Sequence, residues 1–335
     1  MLLFTLVSDL CTGYEESGTV RIVVMGTGGL GGYFGGLLAR SGAEVKFIAR
    51  GTHLQALQNH GLSVRSVHGD FVVPVQAYET AESLAPADLV LFCVKTYAVE
   101  AAAALLQPVV ADHTVVLTLQ NGVDTPTQLQ DTYGRGIVLA GVTRMGSTLA
   151  EPGVIVQQTS DRAIEFGALD RQGQGVLEQV QAELVAAEIP AVAVQDIRKI
   201  LWEKLIFISA FSGLATLTGL LPAQLLAHGP TRQLYGDAMQ ETAAVGQAAG
   251  VAIDPDIVAQ TLLYLDAQDD LGESSMAVDF QRGRPIEVEA INGAVVRHGQ
   301  RLQIPTPVNH TIYASLTVMD QVHRRVSPHL PHQAS

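Results

Sequence analysis

Three groups of residues in this chain have types and spacings that can do chemistry. Gly26, Gly28 and Gly31 stand at the GxGxxG spacing within VVMGTGGLGGYFGG. Glycines at these offsets let a strand turn sharply into a helix and let backbone N–H groups approach a pyrophosphate, which the helix N-terminus also attracts. Lys204 interrupts the apolar stretch RKILWEKLIFISAF. A lysine held in an apolar cleft has its pKa pulled toward neutrality and is suited to proton donation. Lys95, Asn121, Ser275 and Glu287 form the third group, each at the edge of an apolar run or in a polar C-terminal stretch. Each local context also has a plain structural reading. Lys204 could snorkel at a domain junction, Glu287 could sit at a helix start after Pro285, Ser275 could be a cap or loop residue, and Asn121 could be a turn residue before Gly122.

The glycine stretch has its own competing reading. The 18 residues between Arg21 and Arg40 carry no charge, which is the lower length limit for a membrane-spanning helix. Seven of them are glycine, however, a poor composition for a helix, and the segments on either side decide the matter. RIVVMG reads as a strand, LGGYFGGLLARSG as a helix closing at Gly42, and EVKFIAR as a second strand. This βαβ context turns a weak motif into a specific one. The loop of Gly26, Gly28, Gly29, Leu30 and Gly31 is therefore expected to hold a dinucleotide.

The remaining chain supplies the elements that must position these residues. DLVLFCVK and TVVLTLQNG are buried parallel strands, with Lys95 and Asn121 at their carboxyl ends, where doubly wound sheets bind ligands. GIVLAGVTRMGS and AIEFGAL add strands. After Gln195 the pattern is almost purely helical, and PIEVEAINGAVVRHG reads as a helix beginning at Pro285. The expected architecture is an α/β Rossmann-type doubly wound domain over 20–195 and an all-α domain over 196–325. Residues 1–19 are expected to be a loosely attached extension or an over-long start assignment, and 326–335 a flexible tail.

The tip of the second strand selects among cofactors. Arg50 stands there, 19 residues after Gly31, and no Asp or Glu does. A guanidinium at this place can pair with a 2′-phosphate, so NADPH is expected over NADH. The alternative is an exposed arginine at a strand end. A formal charge of -13 argues against nucleic-acid and anionic-membrane partners. Two cysteines and no HExxH or paired Cys/His spacing argue against a disulfide framework and a metal site. The short apolar leader lacks a basic n-region and matches a signal peptide poorly. A cytoplasmic protein without membrane attachment is expected, and the apolar helical half could support a homodimer.

Taken together, the glycine stretch, CVKTY, LQNGVD, LWEKL, ESSMAVDFQRGRPIEVEAINGAVVRHG and IPTPVN resemble the 2-dehydropantoate 2-reductase (ketopantoate reductase) family over roughly Arg21 to Arg324. The resemblance implies NADPH-dependent reduction of a 2-oxo acid. It implies that Lys204 is the general acid and Glu287 its catalytic partner, holding the substrate hydroxyl or orienting the lysine. Ser275 would contact the carboxylate, and Lys95 and Asn121 would line the cleft for both cofactor and substrate. Ile208 and Ser212 stand four and eight residues after Lys204, where characterised members of the family carry Asn. Ser212 is kept as a substrate-binding position. Two reactions stay open: reduction of 2-dehydropantoate to pantoate, and reduction of another 2-oxo acid. A non-catalytic NADPH sensor on the same fold is the third reading.

Overall fold

The computed structural model describes residues 19–268 and 271–326. Almost all of the expected N-terminal extension and C-terminal tail lies outside the described residues. The chain alternates strand and helix from the start: β1 (Arg21–Met25), α1 (Gly29–Arg40), β2 (Glu44–Ile48) and α2 (Gly51–His60). Short strands β3 (Leu62–Arg65), β4 (Phe71–Val73) and β5 (Gln76–Tyr78) precede β6 (Leu89–Phe92), α3 (Val99–Leu106), β7 (Val115–Thr118) and α4 (Thr125–Tyr133). Then come β8 (Ile137–Thr143), β9 (Ser147–Glu151), β10 (Val154–Gln157), β11 (Ile164–Ala168), α5 (Arg171–Gln174), α6 (Leu177–Ala186) and β12 (Ala191–Ala193).

Eight strands form one sheet in the order β12-β11-β8-β7-β6-β1-β2-β5. All its pairs are parallel except β8 with β11. Along β1, Ile22 and Val24 belong to one buried cluster while Val23 and Met25 belong to another. Both faces of the sheet are thus covered, which is why its strands read as continuous apolar runs rather than alternating ones. The strand order reverses at β1, between β2 and β6, so the loops after β1 and β6 open onto the same crevice.

A second sheet, β4-β3-β10-β9, has no counterpart in the architecture expected from sequence. The strand expected from GIVLAGVTRMGS is β8 of the large sheet, and only the last residue of that stretch, Ser147, enters β9 of the small sheet. The small sheet accounts for the surplus glycines of α1. A Cβ on Gly35 would come within 2.8 Å of Val24 on the large sheet, while one on Gly32 would come within 2.7 Å of Ile155 on the small sheet. The backbone of the helix lies directly against core side chains of both sheets, and side chains of its own at these positions would force it away from one or the other.

From α7 (Ile197–Thr218) onward the described residues are helical: α8 (Pro222–Ala227), α9 (Gly229–Ala248), α10 (Ile257–Asp266), α11 (Ser275–Gln281), α12 (Asn292–Leu302) and α13 (Pro307–Val326). Asp196 caps α7 by accepting the Lys199 N–H at 3.1 Å. This helix is long and apolar enough to cross a membrane, yet 72% of its apolar window is buried inside the fold, against α9 and α13 among others. One correction concerns Glu287. It lies not at a helix start but in the turn before α12, which begins at Asn292. Pro285 does not open a helix here, so no helix dipole accounts for the carboxylate.

Candidate active site

Four loops and helix ends meet at the carboxyl edge of the large sheet. Gly26 leaves β1 with φ +90, a conformation open to glycine, and a Cβ there would strike Val94 N at 2.7 Å. Gly31 approaches the strand so closely that its Cβ would lie 2.2 Å from Gly26 O. Gly28 is the N-cap of α1, which has no side-chain cap and no acidic residue in its first turn. Its N-terminal amides and partial positive charge are therefore left to an anion. Leu30 packs on the core beneath. Gly29 abuts Ser147, whose buried hydroxyl makes no hydrogen bond among the described residues. A second orphan is Gln120 Oε1 at the end of β7, while the same amide's Nε2 donates to Phe92 O and Val94 O. Open glycine amides, an uncapped helix and orphaned polar atoms fit a dinucleotide. Arg50 is exposed and is the N-cap residue of α2.

Glu287 is the hub of the polar cluster. It is 5% exposed. Its Oε1 accepts the Thr96 N–H at 3.0 Å, and its Oε2 accepts from Lys95 Nζ and Asn121 Nδ2, each at 3.4 Å. Burial pushes its carboxyl up, but the Lys95 charge and these hydrogen bonds outweigh it and hold the group below its ordinary range. Lys95 also donates to Asp279 Oδ2 at 2.8 Å. Burial opposes the lysine's charge, yet Glu287 and Asp279 together raise its pKa above the ordinary value. Backbone contact fixes the geometry. Gly122, with φ +93, brings the Asn121 turn so near the Glu287 turn that a Cβ would lie 2.6 Å from Ala290 O. Beside it, Asp124 accepts from His298 at 2.6 Å and pairs with Arg297 at 3.0 Å, tying the sheet edge to α12.

Lys204 sits differently. Its Nζ donates to Thr143 O at 2.8 Å, at the end of β8. Burial first, and the charge of Arg144 second, pull its pKa down to about 8, with Glu287 pulling the other way. The ammonium thus feels Glu287 without a direct hydrogen bond to it. Glu203, the neighbouring interruption of the apolar run, pairs with Lys199 at 3.7 Å and stays outside the cluster.

The structure therefore joins Lys95, Asn121 and Glu287 directly and Lys204 through charge. Ser275 is exposed at the start of α11, and the cap there is Ser274, which accepts the Ala277 N–H. Ser212 is buried on α7, and so is Ile208. Sequence reading missed Asp279, Thr96 and Arg144. Asp279 stands four residues after Ser275 on α11, yet it is buried where Ser275 is exposed, and nothing in its residue type sets it apart in sequence. The Thr96 N–H is a backbone group and leaves no trace in residue types.

Models of two families match the chain: ketopantoate reductase PanE/ApbA over residues 22–171, and its C-terminal domain over residues 196–320. The chain belongs to the ketopantoate reductase family. It is accordingly an oxidoreductase of that family. A 2-dehydropantoate 2-reductase of Archaeoglobus fulgidus is 31% identical over 292 residues, covering 87% of this chain and 95% of that one. A PanE/ApbA family ketopantoate reductase from Ralstonia eutropha JMP134 superposes with a TM-score of 0.83 at 32% identity, covering 91% of this chain and 100% of the other. A D-mandelate dehydrogenase, solved with NADH and anilino(oxo)acetate, shares the fold with a TM-score of 0.84 at 22% identity, covering 91% of this chain and 100% of that chain.

Proposed function

We propose that this reductase uses NADPH to reduce the carbonyl of a 2-oxo acid, with 2-dehydropantoate as the first candidate substrate and pantoate as the product. The observation that carries the reading is Lys204, an ammonium whose pKa burial brings down to about 8, within the influence of Glu287, the carboxylate that also accepts from Lys95, the residue after the Val94 that Gly26 abuts. Gly26, Gly28, Gly29 and Gly31 would hold the pyrophosphate, and Arg50 the 2′-phosphate. The nicotinamide, when bound, supplies the hydride. Lys204 donates a proton to the substrate's carbonyl oxygen and is left as a neutral amine, which solvent reprotonates. Before that transfer its charge stabilises the oxygen. Glu287, kept anionic by Lys95, Thr96 and Asn121, accepts a hydrogen bond from a substrate hydroxyl. Ser275 and Ser212 offer hydroxyls for the rest of the substrate.

A second reading, another 2-oxo acid as substrate, is favoured by Ile208. One turn after Lys204 it presents a buried apolar side chain that can donate no hydrogen bond.

NADPH oxidation with a panel of 2-oxo acids, wild type against Lys204→Ala, tests both. The variant is expected to lose about 10²-fold or more in kcat while still binding dinucleotide. Good turnover of another acid without turnover of ketopantoate would select the second reading. No turnover of any acid, with NADPH still bound, would support the sensor. Arg50→Asp is expected to lower the preference for NADPH over NADH by about 10-fold or more. An unchanged preference would remove Arg50 from the 2′-phosphate site.

A further inference from the structure

His53, in the first turn of α2, uses both ring nitrogens on backbone. Its Nε2 lies 2.8 Å from the carbonyl of Thr27, and its Nδ1 lies 2.9 Å from the N–H of Gly153, between β9 and β10. An amide N–H can only donate, so Nδ1 accepts and Nε2 carries the hydrogen that it donates to Thr27 O. The ring is buried, 8% exposed, and neutral in this arrangement. Burial is also what lowers its pKa.

Thr27 is the residue between the first two motif glycines. It is 1% exposed, and its hydroxyl donates to Ile48 O at 3.0 Å, so both its polar side-chain group and its carbonyl are held. In a trans peptide the C=O and the following N–H point in opposite directions. Fixing Thr27 O toward His53 therefore turns the Gly28 N–H away from α2. Gly153 in turn has φ +81, and its carbonyl accepts the Ser63 N–H at 2.8 Å, so the third anchor belongs to the small sheet.

The geometry points to His53 as the positioning residue of the dinucleotide loop: it sets the Thr27–Gly28 peptide plane by bracing it against α2 and the β9–β10 turn. This rests on the reading of the glycine loop as an NADPH site. A loop whose amides are already aimed binds without the cost of ordering them. The small sheet thereby gains a role beyond covering α1, since it supplies one end of the brace. An amide side chain can replace the ring, because Gln carries an N–H donor and an acceptor oxygen next to each other.

The test is NADPH titration, followed by the change in nucleotide fluorescence, of wild type, His53→Ala and His53→Gln. Thermal melting and steady-state kinetics are recorded on the same samples. His53→Ala is expected to raise the NADPH Kd and KM about 10-fold and to leave kcat within about twofold. His53→Gln is expected to recover most of the affinity. A protein with only a structural need for His53 would lose melting temperature in both variants and keep its Kd, and that result would overturn the inference. So would loss of kcat with unchanged KM. If wild type itself binds no NADPH, the dinucleotide reading fails instead, and the two failures are distinguished. Should His53→Ala not fold, His53→Leu, which fills the space with no donor or acceptor, takes its place and is expected to raise the NADPH Kd in the same way. A His53→Leu protein that binds NADPH with the wild-type Kd would overturn the brace.

Discussion

Lys95, at the carboxyl end of β6, has Asp279 at 2.8 Å and Glu287 at 3.4 Å. Lys204, on α7, has a backbone carbonyl at 2.8 Å and the charge of Arg144 nearby. The two ammonium groups share one carboxylate, since Glu287 acts on both. Burial disfavours the charge at each. At Lys95 two carboxylates overcome it and lock the proton on. At Lys204 nothing comparable does, and the proton is held loosely. Residue type and burial alone do not distinguish a lysine that keeps its proton from the one proposed as donor. The number of facing carboxylates does.

The loss expected for Lys204→Ala is the largest effect this contrast predicts. Asp279→Asn is the next. It removes one of the two carboxylates from Lys95 and weakens the hold on Glu287. A fall of about 10-fold in kcat/KM is expected. The pH at which kcat/KM breaks should not move, because Asp279 is not among the groups acting on Lys204 in the free enzyme. A shifted break would show the two lysines to be one coupled unit.

The smallest effect concerns stability, and its sign is opposite to that of most core substitutions. Lys204 has a pKa of 10.5 before folding and about 8 after. Below pH 8 both states are protonated, so the fold carries the full cost of the buried charge. Between the two values the folded protein gives up its proton while the unfolded chain keeps one, and stability rises with pH. Lys204→Met is therefore expected to raise the melting temperature at pH 7 by about 2–4 °C and to lose that advantage as pH approaches 10.5. Melting curves at pH 7 and pH 9.5 check this.

Much of the site was legible because it is written in backbone demands and isolated charges. Gly26 and Gly31 announce themselves, since no other residue fits those contacts. Lys204 stands out in an apolar helix. The small sheet was not legible. Its strands run three to five residues and pair segments as distant as Ser63 and Val154, below the length at which alternation can be read. Gly32 and Gly36 are the visible consequence of that sheet, but their spacing does not say what they approach. Pro285 is a good first helical residue and so suggests a helix around Glu287, whereas the chain spends the intervening residues on the turn that delivers the carboxylate to Lys95. Asp279 looks, in sequence, like the polar side of a short helix. Only the fold shows it facing a lysine 184 residues away.

The most direct measurement is the pH dependence of kcat/KM for NADPH-driven reduction of the best 2-oxo acid, from pH 6 to pH 10. With Lys204 as proton donor, kcat/KM should hold steady up to about pH 8 and then fall, approaching tenfold per pH unit as the ammonium of the free enzyme deprotonates. A profile flat through pH 10, with wild-type protein intact throughout, would contradict the assignment of Lys204 as the acid.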